Sequence, residues 1–475
     1  MKVNRKPMPP GPVPERIQAR WSHLCQHIGE RRAGSAGERV AAEYILDQFR
    51  QAHLEAVHAE PFPCTAVGEA RAEIALGLGR SLEGVPARVL AGSPGTPGGR
   101  AVSGELVWVE MPEQAERLFQ PALRDKIVVL FGPMPTRADL HRRLVQCQPA
   151  AVIHVDDRLP FDWVKDDGVY PVWVRRYGMP PTVTIPYQAA WAWRKRGANR
   201  ARARITAELK SAHSQNVVGE IRGRRPELPL VLLGAHHDTQ CNNPGADDNA
   251  SGVVALLELA FLLGAERPLR TIRLVSFGAE EQLSVGSSAY AVAHRKEMPG
   301  IGVVFNLDSV SSPLGHHCVL RAGARAFGSW LLRELARAGL DARESAAPMP
   351  FADHFPFSVF GVPAASFLRP NMDSGMRWQH HSAQDNLENV AVSEVARVVS
   401  ALANVTRTLA GARRWPFPRG LAPEQRAETA RLGKELFGIQ VRRPSAHLNG
   451  CTSDQRRFGT HLRKARIYLW PQGNR

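Results

Sequence analysis

The chain has 475 residues, 44% of them hydrophobic and 22% charged, enough apolar content for a substantial core and about two domains, which excludes a disordered or fibrous protein. Its 40 glycines and 36 prolines are scattered without a collagen-like period, and no internal repeat stands out. The formal net charge of +16 would suit a nucleic acid or an acidic surface, but fourteen Lys and Arg against four Asp and Glu lie between Arg413 and Arg475, so ten of those charges sit in the last segment and the rest of the chain is mildly basic.

The amino terminus, MKVNRKPMPPGPVPERIQ, has basic residues with no apolar stretch behind them, so no secretory leader is read there and the chain is expected to be cytoplasmic, or exported if the true start lies upstream of Met1. Apolar runs near Val253 to Leu263 and Val303 to Leu307 are interrupted or too short to cross a bilayer, so no membrane span is expected. The six cysteines lie far apart with no CxxC pair, which reads as isolated thiols. Beyond the Pro-rich start, Ser35-Ala36-Gly37-Glu38 has capping-box spacing. Val40, Ala41, Ile45, Leu46 and Phe49 then recur on one face and predict an amphipathic helix. From about Cys64 to Lys210 the texture changes to short β-rich runs, Glu105 to Val109, Ile127 to Phe131, Ala151 to Val155 and Thr182 to Ile185. Gly and Pro clusters separate them, which predicts an inserted, mostly β module. From Asn216 strand-like runs alternate with helical stretches, the pattern of an α/β sheet. Strands are predicted at Leu228 to Ala235, Thr271 to Phe277 and Ile301 to Leu307, and an apolar helix at Gly252 to Leu263.

Open α/β sheets bind ligands at the carboxyl ends of their strands. The first strand stops at Ala235-His236-His237-Asp238, and the loop behind it carries PGADDNASG (244–252). The second runs out into Glu280-Glu281, the third into Asp308, and His381-Ser382-Ala383-Gln384-Asp385 follows later. These places supply the imidazole and carboxylate donors that suit zinc or a similar divalent ion. Taken singly, each has an ordinary explanation: a surface His-Asp pair, a solvated acidic turn, a helix N-cap at Asp247-Asp248-Asn249. Their joint placement points to one site.

The sequence resembles the zinc aminopeptidases of peptidase family M28. The resemblance rests on AHHD (235–238), PGADDNASG (244–252), FGAEEQ (277–282), NLD (306–308), ADHFPF (352–357) with GVP (361–363), and HSAQDN (381–386), and covers about residues 20–64 and 212–410. It implies a zinc-exopeptidase-like α/β fold, a mixed β-sheet flanked by helices on both faces. Residues 1–64 would be the N-terminal part of the peptidase domain and 212–412 the part with the metal site. Residues 65–211 resemble an inserted protease-associated domain by position and by the Asp125-Lys126-Ile127-Val128-Val129 strand entry. A basic C-terminal extension, 413–475, would lie beyond both.

The resemblance further implies two zinc ions per chain, or another divalent metal. His236 and Asp308 would be terminal ligands of one ion, Glu281 and His381 of the other, and Asp247 the bridge, followed by a cis peptide to Asp248. Asp238 would accept the other N–H of His236, and Glu280 would be the general base. Asp353 and His354 fall on an SDH-type segment in which Ala352 replaces the usual Ser, and would line the pocket. His316 and His317 match nothing in the pattern. The function implied is removal of N-terminal amino acids from peptide substrates with a free N-terminus. The alternatives are a carboxypeptidase of the same fold, a glutaminyl cyclase-like enzyme, or a non-catalytic binding protein. A carboxypeptidase would need a cationic group for the terminal carboxylate, for which Arg321, Arg325, Arg369 and Arg377 are candidates. The extension, with Arg442-Arg443, Arg456-Arg457 and Arg463-Lys464 interleaved with Phe458, Tyr468 and Trp470, reads either as a nucleic-acid- or anion-binding element or as a solvated tail. The oligomeric state is not legible.

Overall fold

The structure, a computed structural model, describes residues 11–440 apart from 120, 136, 159, 166–170 and 373–376. A continuous mixed sheet runs through it. At its centre Leu230–His236 pairs in parallel with Ile272–Phe277 on one side and Ile301–Leu307 on the other, and Ile301–Leu307 pairs in parallel with Ala364–Leu368. Ile301–Leu307 is buried along its whole length, as a strand covered on both faces must be, which is why it reads as apolar but for Asn306, whose side-chain amide donates to Ser366 Oγ at 3.1 Å. His317–Ala322 closes on Ala364–Leu368 in the antiparallel sense. The apolar helix Gly252–Leu263 is buried on almost every side, packed between the sheet and the long helix Val392–Gly411.

The helix predicted after Ser35 is present as Ala36–Gln51, with the Ser35 side chain accepting the N–H of Glu38. The strands Glu55–Leu78 and Arg200–Ile221 then form a long antiparallel pair, from Glu55 opposite Glu220 to Gly77 opposite Arg200. The Arg200–Ile221 strand also pairs with Ile272–Phe277 of the central sheet and, at its other end, with Val102–Glu110. Residues 65–211 hold strands at Val102–Glu110, Ile127–Phe131, Ala151–Val155 and Thr182–Thr184, joined in parallel. Three helices accompany them, Ala138–Gln146, Pro171–Tyr177 and Tyr187–Lys195. Each has nine residues or fewer, too short for a helical period to stand out among the neighbouring β-rich runs. The residues at which the two segments were expected to meet, Cys64 and Ala212, face one another within the strand pair, so the chain passes between them on hydrogen-bonded strands.

The first part of the C-terminal extension is not a solvated tail. Trp415 and Phe417 pack against one another and Phe417 against Phe327 and Trp330, with ring centroids 4.6 and 5.2 Å away. The helix Pro423–Phe437 follows, and its buried Gln425 donates to the carbonyls of Arg321 and Ala346 while accepting the N–H of Gly323. The basic pairs from Arg442 onward lie outside the described residues. No helix among the described residues is long and apolar enough to cross a membrane.

Candidate metal centre

The four earlier motif positions lie just beyond parallel strands. His236 ends Leu230–His236, Glu280 and Glu281 follow Ile272–Phe277, Asp308 follows Ile301–Leu307, and His381 returns from the segment after Ala364–Leu368. The loop 237–245 then turns through Gly245 at φ +58°, where a Cβ would meet the Thr239 methyl at 2.4 Å and the Asp248 carbonyl at 2.5 Å. Only glycine fits a left-handed turn that tight.

Asp248 is the shared carboxylate. One of its oxygens lies 3.1 Å from His236 Nε2, and the other lies 3.2 Å from His380 Nε2 and 3.6 Å from His381 Nε2. Two donor sets result, His236 with Asp248 and Asp308, and Asp248 with His380 and His381. Glu281 Oε2 joins the second at 3.1 Å from His381 Nε2. Both ring nitrogens of His236 and Glu281 Oε1 are buried without a hydrogen-bond partner. Buried polar atoms left unpaired are costly, and imidazole nitrogens aimed with carboxylates at a common point are what a divalent ion takes up. The donors therefore fit zinc.

The expected bridge, Asp247, is corrected by one residue. Its Oδ1 accepts the Ser311 N–H at 3.0 Å and the Ser311 hydroxyl at 2.6 Å, and its Oδ2 accepts Gln379 Nε2 at 3.2 Å. Those oxygens are occupied, and neither faces the histidines. The cis peptide is displaced by the same step, lying between Asp248 and Asn249. Asp238 has a wider part than expected. Its Oδ1 lies 3.4 Å from His236 Nδ1, and its two oxygens accept the backbone N–H groups of Glu280 at 2.9 Å and Glu281 at 3.1 Å. Glu280 Oε1 accepts the Ser284 hydroxyl at 2.9 Å, while Oε2 lies 4.0 Å from His236 Nε2. Burial holds the Glu280 carboxyl well above the usual carboxylate range; the imidazole of His236 opposes this, and Asp353, Asp308 and Glu281 add to it. Asp353 is likewise fully buried, and desolvation lifts its carboxyl to about 7.

Three residues take parts that the sequence did not assign to them. Asp385 accepts the N–H groups of Asp247 and Asp248. Glu38 reaches from the first helix to accept the N–H of Ala279, next to Glu280, together with the Ser214 hydroxyl. His380 stacks on His381 with ring centroids 3.4 Å apart. Of the four arginine candidates, Arg321 is engaged by Glu344, Arg325 is exposed beside Glu424, and Arg369 is bound to the Ser312 carbonyl and near Glu394. Arg377 alone among these four enters the site, with Nη2 3.0 Å from Asp248 Oδ2 and Nε 3.5 Å from Asp247 Oδ2. His317 lies 3.0 Å from Glu394, away from the centre.

The family model for peptidase family M28 matches residues 216–406, the segment that carries every donor just described. That stretch matches peptidase family M28. Aminopeptidase YwaD of Bacillus subtilis (strain 168) is 32% identical to the chain over 188 residues, which is 38% of this chain and 41% of that protein. Carboxypeptidase Q of Xenopus laevis is 26% identical over 395 residues, 79% of this chain and 82% of that protein. The chain thus spans less than half the length of the aminopeptidase it matches. Among solved structures, a peptidase M28 precursor from Shewanella amazonensis SB2B superposes with a TM-score of 0.72 at 20% identity, over 86% of this chain and 98% of that one. The zinc aminopeptidase BSAP from Bacillus subtilis gives 0.70 at 20% identity, over 88% and 100%. These likenesses establish the fold alone, a mixed sheet flanked by helices.

Proposed function

We propose that the protein is a zinc-dependent exopeptidase that removes N-terminal amino acids from peptides, with two ions per chain. The observation that carries this reading is the pair of donor sets meeting at Asp248, with the second glutamate of the Glu280-Glu281 pair on one set and the first beside the other. His236 and Asp308 would hold one ion, His381 and Glu281 the other, with Asp248 between them. Bound there, zinc would polarise the scissile carbonyl and lower the pKa of the attacking water. Glu280 takes a proton from that water through Oε2, the water oxygen bonds to the carbonyl carbon, and the proton passes to the amine nitrogen as the C–N bond breaks. Burial raises the Glu280 carboxyl, so that it takes up a proton more readily than a free carboxylate. Asp238 holds the two glutamates in register through their N–H groups, and Arg377 offsets the negative charge gathered at Asp247 and Asp248. We further propose that residues 65–211 are a protease-associated insertion.

The test is mass spectrometry of peptides with free or acetylated N-termini after incubation with zinc-loaded protein. Stepwise loss from free N-termini alone is expected. A second reading, a carboxypeptidase, is favoured by the longer alignment with carboxypeptidase Q and by Arg377, a cation beside the centre. It would appear as C-terminal shortening of the acetylated peptides.

A further inference from the structure

Arg31 lies in the N-terminal segment, outside the residues matched to the family, and is fully buried. Its guanidinium donates to five main-chain carbonyls. Nε reaches the His237 carbonyl at 2.9 Å, Nη1 those of Leu24, Gly29 and Pro244 at 3.1, 2.7 and 2.8 Å, and Nη2 that of Gly245 at 3.2 Å. Its own backbone is interlocked with Thr239, the Arg31 N–H donating to Thr239 Oγ1 at 2.9 Å and the Arg31 carbonyl accepting the Thr239 N–H at 3.3 Å. Three of the five carbonyls belong to the loop that runs from His236 to Asp248. One is adjacent to His236, and the others immediately precede Ala246-Asp247-Asp248. The carboxylates whose fields act on Arg31 are those of Asp385 and Asp238, the two that fix the backbones of Asp248 and of Glu280-Glu281. A cation in this position ties both ends of one loop to a single rigid fork.

We infer that Arg31 is a positioning residue of the metal centre, setting the separation of His236 from Asp248 and so making the N-terminal segment part of the zinc site. The inference rests on the metal-centre reading above. A loop whose carbonyls lose their donor must repack or take in water, and the His236 and Asp248 donors, 3.1 Å apart, move with it.

The test is a zinc titration of the metal-free full chain against a competing chelator, with thermal unfolding of the same metal-free samples alongside. Arg31→Met should weaken zinc binding about 10–100-fold, the range found when groups supporting metal ligands are removed, and Arg31→Lys should fall between it and the parent protein. Ile153→Ala, in the separate core of residues 65–211, should lower the unfolding midpoint and leave zinc affinity unchanged. Should Arg31→Met not fold, Thr239→Val and Arg31→Lys carry the test, each with weakened zinc binding. Parental zinc affinity in the folded Arg31 variants, with only the midpoint lowered, would overturn the inference. A parent protein that binds zinc tightly yet cleaves no peptide would instead remove the proposed function and leave the zinc titration to decide the role of Arg31.

Discussion

The carboxylate of Asp385 receives the backbone N–H of Asp248 at 2.9 Å, across 137 residues of sequence, and that of Asp247 at 2.6 Å. Asp238 does the same for Glu280 and Glu281. Asp247-Asp248 and Glu280-Glu281 are therefore each held through their backbone N–H groups by another buried carboxylate. Burial and the neighbouring Asp247 and Asp248 raise the Asp385 carboxyl well above the ordinary range, and the N–H groups of Asp247 and Asp248 oppose the rise.

Asp385→Asn would keep the shape but turn one acceptor into a donor facing an N–H. The expected outcome is about 10–100-fold weaker zinc binding and a loss of about 1–3 kcal/mol of stability from the unpaired N–H. Chelator competition and urea unfolding of the metal-free protein check the two effects separately.

The one-residue shift of the bridge makes a sharp comparison. Asp248→Asn should lose zinc from both donor sets, because its oxygens face His236 on one side and His380 and His381 on the other. Asp247→Asn should retain zinc, since it leaves every donor atom in place, while loosening the contact to Ser311. Zinc content after dialysis, measured on both purified variants, distinguishes them. Tighter retention in Asp248→Asn than in Asp247→Asn would restore Asp247 as the bridge.

Much of the centre is legible because its donors sit where apolar runs stop: His236 after Leu230 to Ala235, Asp308 after Ile301 to Leu307. The choice between Asp247 and Asp248 was not legible. Neighbouring carboxylates in a turn point to different sides, and which side faces the histidines depends on the φ of −110° and ψ of 90° at Asp248, torsions no residue pattern encodes. Arg31 was hidden for another reason. In Glu30-Arg31-Arg32 it looks like one of many surface charges, and only the folded loop shows that three of its five carbonyl partners lie more than two hundred residues away. Trp415 and Phe417 were likewise absorbed into a basic tail, though their rings are part of the core.

A pH-dependent contact joins the strand leading into residues 65–211 to the helix Val285–Ala293 behind the glutamates. His294 Nε2 lies 3.0 Å from Glu60 Oε1 and Nδ1 2.8 Å from Glu297 Oε1, with Arg273 on Glu297, His58 on Glu60 and Tyr290 stacked on the ring. The hydrogen bond to Glu60 raises the His294 pKa, burial opposes it, and Glu297 adds to the rise. A raised folded-state value means the contribution is complete below the unfolded value of about 6.5 and is lost as pH rises through the folded one. His294→Asn should therefore cost about 1 kcal/mol at most at about pH 5.5 and less at about pH 8.5. Thermal midpoints of the two proteins at both pH values check this, and an equal loss at each would exclude a charged contact.

Glu280→Gln isolates the proton step. The variant keeps the Ser284 contact available to its amide oxygen and removes no donor of either set, for the nearest approach of Glu280 to His236 is 4.0 Å. Zinc binding should be unchanged. Turnover should fall by about 10²–10⁴-fold, the usual worth of a positioned acid-base group, with the loss in kcat, because the carboxylate acts on the water and the leaving amine and not on substrate capture. Steady-state kinetics on a free N-terminal peptide, beside zinc content, read both quantities. Undiminished kcat in the zinc-loaded variant would move the base role elsewhere, with Asp353, buried and raised to about 7, the next carboxyl to replace.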